Sequence, residues 1–223
     1  MSIPEKPQPQ LQFSSSNKMK LGYAQRIGCA SFLPHDGKEI QGSPAVVAHE
    51  KCITAFEDAK KESGDAIVGL FIEDTATGPS AVYDLLGAYA SSFVKAGVRT
   101  KLSLYEQFLP FFKDSTACIY SSTVCATFDG ELVTTITCKV ECECVPERKG
   151  NGGKIDACMI PLKIKSLTLK VGDAEEEILI ENQPIDSDGK TYSQREECCK
   201  DHPRTIAFGA LDDQCSKNGW VLM

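Results

Sequence analysis

The chain has 223 residues, 42% of them hydrophobic and 25% charged, with a formal charge of −7 and a pI near 5.1. That is the composition of an ordinary globular domain. Lys and Arg are scattered, so no basic face is written for binding nucleic acid through its phosphates. No apolar run approaches the ~18 residues of a membrane helix, and 1–20 lacks the apolar segment of a signal peptide.

Residues 1–18, rich in Pro, Gln and Ser, read as a disordered N-terminal arm. Leu21–Leu33 predicts a first strand, closed by the turn-like Pro34-His35-Asp36-Gly37. A helix follows, with Ser43 as N-cap and Pro44 in its first turn. Ala45, Ala48, Cys52, Ala55, Phe56 and Ala59 form its stripe, and Gly64 is a natural stop. Ala66–Ile72 is apolar on both faces and predicts a central strand. Gly78-Pro79-Ser80 opens a second helix with the stripe Val82, Leu85, Leu86, Tyr89, Phe93 and Ala96. The capping-box pattern Ser103-Leu104-Tyr105-Glu106 starts a third, which Pro110 ends or kinks.

After Asp114 the period changes from helix to strand. Thr116–Phe128 leads into Asp129-Gly130, a strong hairpin signal. From Leu132 to Cys144 the chain alternates almost without fault, with Leu132, Thr134, Ile136, Cys138, Val140, Cys142 and Cys144 on one side. At ~3.3 Å per residue this strand spans roughly 43 Å. Cys158–Val171 is another long strand, whose apolar phase slips across Lys165-Ser166 as a β-bulge would make it. Glu177–Glu181 is a shorter strand, and 182–223 reads as polar, Cys-rich and irregular. Helices before strands argue one α+β domain, helical layers on a mainly antiparallel sheet of long strands. Its core is 19–181, with 182–223 packed on it.

Motifs for chemistry are weak. The eleven cysteines suit buried free thiols, with disulfides as the alternative. Cys198, Cys199, His202 and Cys215 meet only half of a zinc spacing rule. Asp186-Ser187-Asp188-Gly189 lacks the first and last ligands of a calcium loop. Asp188–Ser193 resembles a piece of Kazal inhibitors without the Cys expected before it. Gly150-Asn151-Gly152-Gly153-Lys154 lacks phosphate-loop spacing. No Gly-x-Ser-x-Gly occurs, and His35, His49 and His202 are dispersed. Neither catalytic residue nor metal nor cofactor is expected, and the chain reads as a non-enzyme. Its localisation is open: made in the cytoplasm, or exported non-classically.

The order of an Ala-striped helix (45–59), an apolar helical hairpin (82–112) and long amphipathic strands resembles the Cyt δ-endotoxins and the fungal volvatoxins, across roughly Pro44 to Ile180. The resemblance implies a pore-forming, cytolysin-like protein whose helices leave the sheet on a lipid membrane, followed by self-association. Its membrane-inserting candidates are Leu132, Ile136, Val140, Ile160, Leu162, Ile164, Leu167 and Leu169. The alternatives are a self-assembling structural protein, such as a viral coat, and a carrier of an apolar ligand between helices and sheet.

Overall fold

In the computed structural model, residues 8–35, 40, 42–64, 68–80, 117–146, 159–178, 183–186, 188–190 and 199–223 are described. Strand β1 (Gln10–Ser14) buries Leu11 and Phe13 completely, although its Gln- and Ser-rich surroundings suggest an arm. Helix α1 (Lys18–Arg26) follows, and it takes the first part of the segment Leu21–Leu33 expected as a strand. A local device decides it: Asn17 caps the helix, its Oδ1 accepting from the Met19 N–H at 3.0 Å. Only Phe32–Leu33 of the expected first strand is extended, as β2.

Helix α2 (Pro44–Ser63) forms where the sequence places it, with Ser43 as N-cap and Gly64 at φ 62° as its end. Strand β3 (Gly69–Pro79) continues beyond Ile72 through Glu73, Asp74 and Thr75. Strands β4 (Ala117–Phe128) and β5 (Glu131–Pro146) meet at Asp129-Gly130, both at positive φ. Strands β6 (Met159–Val171) and β7 (Ala174–Ile178) complete a meander, and the β5–β6 register jumps past Lys165. Within the C-terminal stretch read as irregular, Pro203–Asn218 is helix α3, ended by Gly219 in the left-handed region, and Val221–Leu222 is β8.

The sheet order is β2-β1-β3-β4-β5-β6-β7, with β8 also on β1. The fold is α+β, but the sheet is mixed, which corrects the mainly antiparallel expectation. The four pairings from β3 to β7 are antiparallel, whereas β1 runs parallel to β2, β3 and β8. Parallel pairing follows from the helical excursions: α1 returns the chain to β2 and α2 returns it to β3. The β1–β3 seam is tight. A Cβ on Gly69 would lie 2.4 Å from both the Gln10 carbonyl oxygen and the Phe128 ring.

Helices lie on both faces. On one, α1 and α3 bring Tyr23, Ala207, Phe208 and Leu211 onto Phe13, Phe71, Ile136 and Val140. On the other, the small-residue stripe of α2 packs on Leu70, Ile72 and Cys125. The expected helices over 82–97 and 103–112 lie outside the described residues.

Candidate functional site

Strand β1 ends at Ser14, while its neighbour β3 runs on for several residues. Glu73 and Asp74 stand on that extension, just beyond the β1 pairing. Successive strand residues face opposite sides of a sheet. Glu73 therefore shares the α1/α3 side with Phe71, and Asp74 shares the α2 side with Ile72. At this step in the sheet the two carboxylates point to opposite faces, Glu73 with no side-chain exposure and Asp74 with 10%.

Glu73 is a buried hub. Lys20 Nζ lies 3.1 Å from Oε2, and Arg204 Nε lies 3.3 Å from both carboxylate oxygens. Ser122 donates to Oε1 at 2.7 Å and Thr75 at 2.5 Å, while Thr75 Oγ1 accepts from Arg204 at 2.7 Å. Burial opposes ionisation of Glu73. Lys20 and Arg204, helped by the two hydroxyls, outweigh it and hold the carboxyl well below the usual range. Asp74 behaves oppositely. Lys51 Nζ from α2 sits 2.8 Å from its Oδ1, yet burial pushes this carboxyl up against the pull of Lys20 and Lys51, and ionised Glu73 adds to the rise.

The helix termini sharpen the electrostatics. Lys20 and Arg204 lie in the first turns of α1 and α3, and neither first turn carries an acid. Cations at the positive end of a helix dipole are locally unfavourable. Two such placements converging on one carboxylate make a corner with spare positive potential. The entry to α1 is held as well: the Ser15 hydroxyl accepts from the Asn17 N–H at 3.1 Å, and Ser15 N–H bonds to Leu33 O at 2.9 Å. Lys20 and Arg204 on one face of the sheet and Lys51 on the other gather positive charge around this corner. Among the described residues no three His, Cys, Asp or Glu side chains converge to hold a metal ion.

The residues first considered for chemistry lie elsewhere or act otherwise. His202 Nδ1 accepts from the Arg204 N–H at 3.0 Å, so this histidine caps α3. None of the nine cysteines among the described residues is in a disulfide, and eight of them are buried. Of the membrane-inserting candidates, Ile136, Val140, Ile160, Ile164 and Leu167 are buried and Leu169 is partly buried against the same core. Only Leu132 and Leu162 are exposed. Strand β5 is hydrogen-bonded to β4 and β6, and α3 covers its apolar face. Glu73, Asp74, Lys20, Lys51 and Arg204 escaped the sequence reading. The one available signal was an acidic pair directly after a buried strand.

No family model and no curated protein matches this sequence. Solved structures do. A HAM1 protein from Coxiella burnetii superposes with a TM-score of 0.61 at 14% identity, over 94% of this chain and 99% of that one. The Staphylococcus aureus Ham1 protein gives 0.59 at 14% identity, over 93% and 98%. A nucleoside-triphosphatase / dITP/XTP pyrophosphatase from Mycobacterium abscessus gives 0.47 at 14% identity, over 68% and 83%.

The first two superpositions place the fold with HAM1 proteins and overturn the cytolysin resemblance. The pore-forming function with its coat and carrier alternatives, drawn from the pattern of elements, and the non-enzyme expectation, drawn from the weak motifs, are withdrawn. So are the partners expected with them, a lipid membrane and self-association without nucleic acid. The physical reason is that alternation over 132–144 reports one dry face and one wetter face. Here the dry face belongs to a core closed by α1 and α3, elements the sequence reading did not supply. The described helices contain no segment long and apolar enough to cross a membrane. The chain has the fold of HAM1 proteins, with a paired-carboxylate, multi-cation corner at the end of β1.

Proposed function

We propose that the chain is a phosphoanhydride hydrolase acting on a nucleoside triphosphate at the Lys20–Glu73–Asp74–Lys51–Arg204 corner. The observation that carries this reading is the opposed behaviour of adjacent carboxylates. Glu73 is held down by Lys20 and Arg204 at 3.1 and 3.3 Å, whereas burial raises Asp74 although Lys51 stands 2.8 Å away. Environments that separate two such groups assign them different roles. Glu73 fixes the two cations against the sheet. Asp74 accepts the proton of the attacking water.

A triphosphate tail fits the corner electrostatically. Lys20, Lys51 and Arg204 supply positive charge from three helices. As water attacks phosphorus and the anhydride bond breaks, negative charge spreads over the phosphoryl oxygens, where fixed cations act most strongly. The HAM1 fold of two solved structures is consistent with this reading. The printed name of the M. abscessus protein suggests which nucleotides to try first.

The test is hydrolysis of dITP, XTP and the common nucleoside triphosphates by purified protein, with products separated. Monophosphate plus pyrophosphate indicates cleavage of the α–β anhydride bond, and diphosphate plus phosphate indicates cleavage of the β–γ bond. Asp74→Asn is expected to lower kcat by about 10²–10⁴, with KM little changed. Turnover of no triphosphate, or full turnover by Asp74→Asn, would overturn the reading.

A further inference from the structure

We propose that Tyr23 is a positioning residue, whose ring face sets the guanidinium of Arg204 and thereby ties α1 to α3 at the candidate site. Lys20 and Tyr23 are three residues apart on α1 and so share a helix face. Lys20 reaches Glu73 directly. Tyr23 reaches it through Arg204, whose Cζ lies 5.8 Å from the Tyr23 ring centroid. A chain of contacts results: Lys20 to Glu73, Glu73 to Arg204, Arg204 to Tyr23, and back through one turn of α1.

The ring itself is fixed. Tyr23 is buried, and its centroid lies 5.5 Å from that of His202 and 5.9 Å from that of Phe208. His202 is the cap whose Nδ1 receives the Arg204 N–H. Tyr23 therefore touches the residue that starts α3 as well as the side chain α3 delivers. Arg204 needs this support. It projects from the first turn of its helix, and its donors must meet both Thr75 and Glu73. A guanidinium over an aromatic face is attracted by the ring's negative quadrupole, more strongly when withdrawn from water. Arg26 also lies over this ring, at 5.6 Å, but it is exposed, so its hold is the weaker.

The kinetic part rests on the nucleotide-hydrolase reading, so a structural readout accompanies it. The Arg204 Nε–H signal is followed by ¹⁵N NMR on the full chain, with the Arg26 signal as reference. The proteins compared are wild type, Tyr23→Phe, Tyr23→Leu and a protein with pentafluorophenylalanine at 23. The last keeps the ring's shape but drains its face of negative charge. Wild type and Tyr23→Phe are expected to share a slowly exchanging Arg204 signal. Tyr23→Leu and the fluorinated ring are expected to speed its exchange about tenfold, as loss of a desolvated cation–π contact implies. In nucleotide hydrolysis the same two proteins are expected to lower kcat/KM about tenfold, with part of the loss in kcat, because Arg204 is among the cations that meet the charge of the transition state.

Unchanged Arg204 exchange in the fluorinated protein would overturn the proposal, whatever Tyr23→Leu does to folding. So would a Tyr23→Phe protein as disturbed as Tyr23→Leu. If the wild type hydrolyses no nucleotide, the functional reading fails alone, and the NMR comparison still decides the role of Tyr23.

Discussion

Arg204 Nε stands 3.3 Å from both carboxylate oxygens of Glu73, a residue 131 positions away in the chain. The contact joins the first turn of α3 to the middle of β3, where Lys20 arrives from α1. Removing the carboxylate charge leaves two cations facing each other in a largely buried setting. Breaking a buried pair from one side costs about 3–5 kcal/mol, and Glu73→Gln is expected to lose that much stability. Urea unfolding measures it. A loss below 1 kcal/mol would mean that water screens the cluster.

The acid limb of stability should carry the signatures of both carboxylates, with opposite signs. Glu73 is held down, so its contribution is complete above the ordinary glutamate value of about 4.3 and fades as pH falls towards its folded value. Asp74 is pushed up, so its contribution is complete below about 3.9 and fades as pH rises through its raised folded value. Glu73→Gln is therefore expected to flatten the loss of stability below about pH 4.5. Asp74→Asn is expected to gain on the wild type as pH rises from about 4 towards 7. Both statements are checked by urea midpoints across pH. Curves parallel to wild type for both variants would show that neither carboxyl is perturbed.

Much of the scaffold was legible where one residue pattern decided the outcome. Alternation from Leu132 to Cys144 marked β5, Asp129-Gly130 marked its hairpin, and Ser43-Pro44 with Gly64 bounded α2. The strand β1 was not legible, because it buries little beyond Leu11 and Phe13 and lies beside a serine run. Helix α1 begins at a cap set by Asn17 alone, without an acidic first turn to announce it. The candidate site was harder still. Glu73-Asp74 directly follows the predicted central strand, so half of it could have been suspected. Its cations come from three helices, and no local pattern links Lys20, Lys51 and Arg204. His202 drew attention as a metal ligand, whereas its ring caps α3.

Two glycines give a contrast that tests the β1–β3 seam. At Gly69 a methyl group would strike the Gln10 carbonyl oxygen and the Phe128 ring, and Phe128 is itself packed edge-on against Trp220 at 5.3 Å. Gly69→Ala is expected to cost about 1–3 kcal/mol, as overpacking does. Gly209 lies inside α3 with nothing within 4 Å of its added Cβ. Gly209→Ala is expected to stabilise by about 0.5–1 kcal/mol through helix propensity. Thermal melting of the two variants checks both signs. A neutral Gly69→Ala would mean that β1 does not lie against β3 in this register.

The buried cysteines are expected to be unreactive despite their number. Burial pushes Cys125 and Cys138 up to about 12, and Cys52 and Cys118 well above the ordinary thiol value. At pH 8 a thiol near 12 is a thiolate only about one part in ten thousand of the time, and the thiolate is the nucleophile. Cys52 is held further, its thiol donating to the Cys125 carbonyl oxygen at 3.3 Å beneath α2. Cys199 is partly exposed. Iodoacetamide on the native protein at pH 8 is therefore expected to modify Cys199 within minutes. Cys52, Cys118, Cys125 and Cys138 should react only once urea opens the fold, as peptide mass spectrometry would record. Equal labelling rates for Cys125 and Cys199 in the native protein would show that α2 does not seal the face of the sheet on which Asp74 and Lys51 meet.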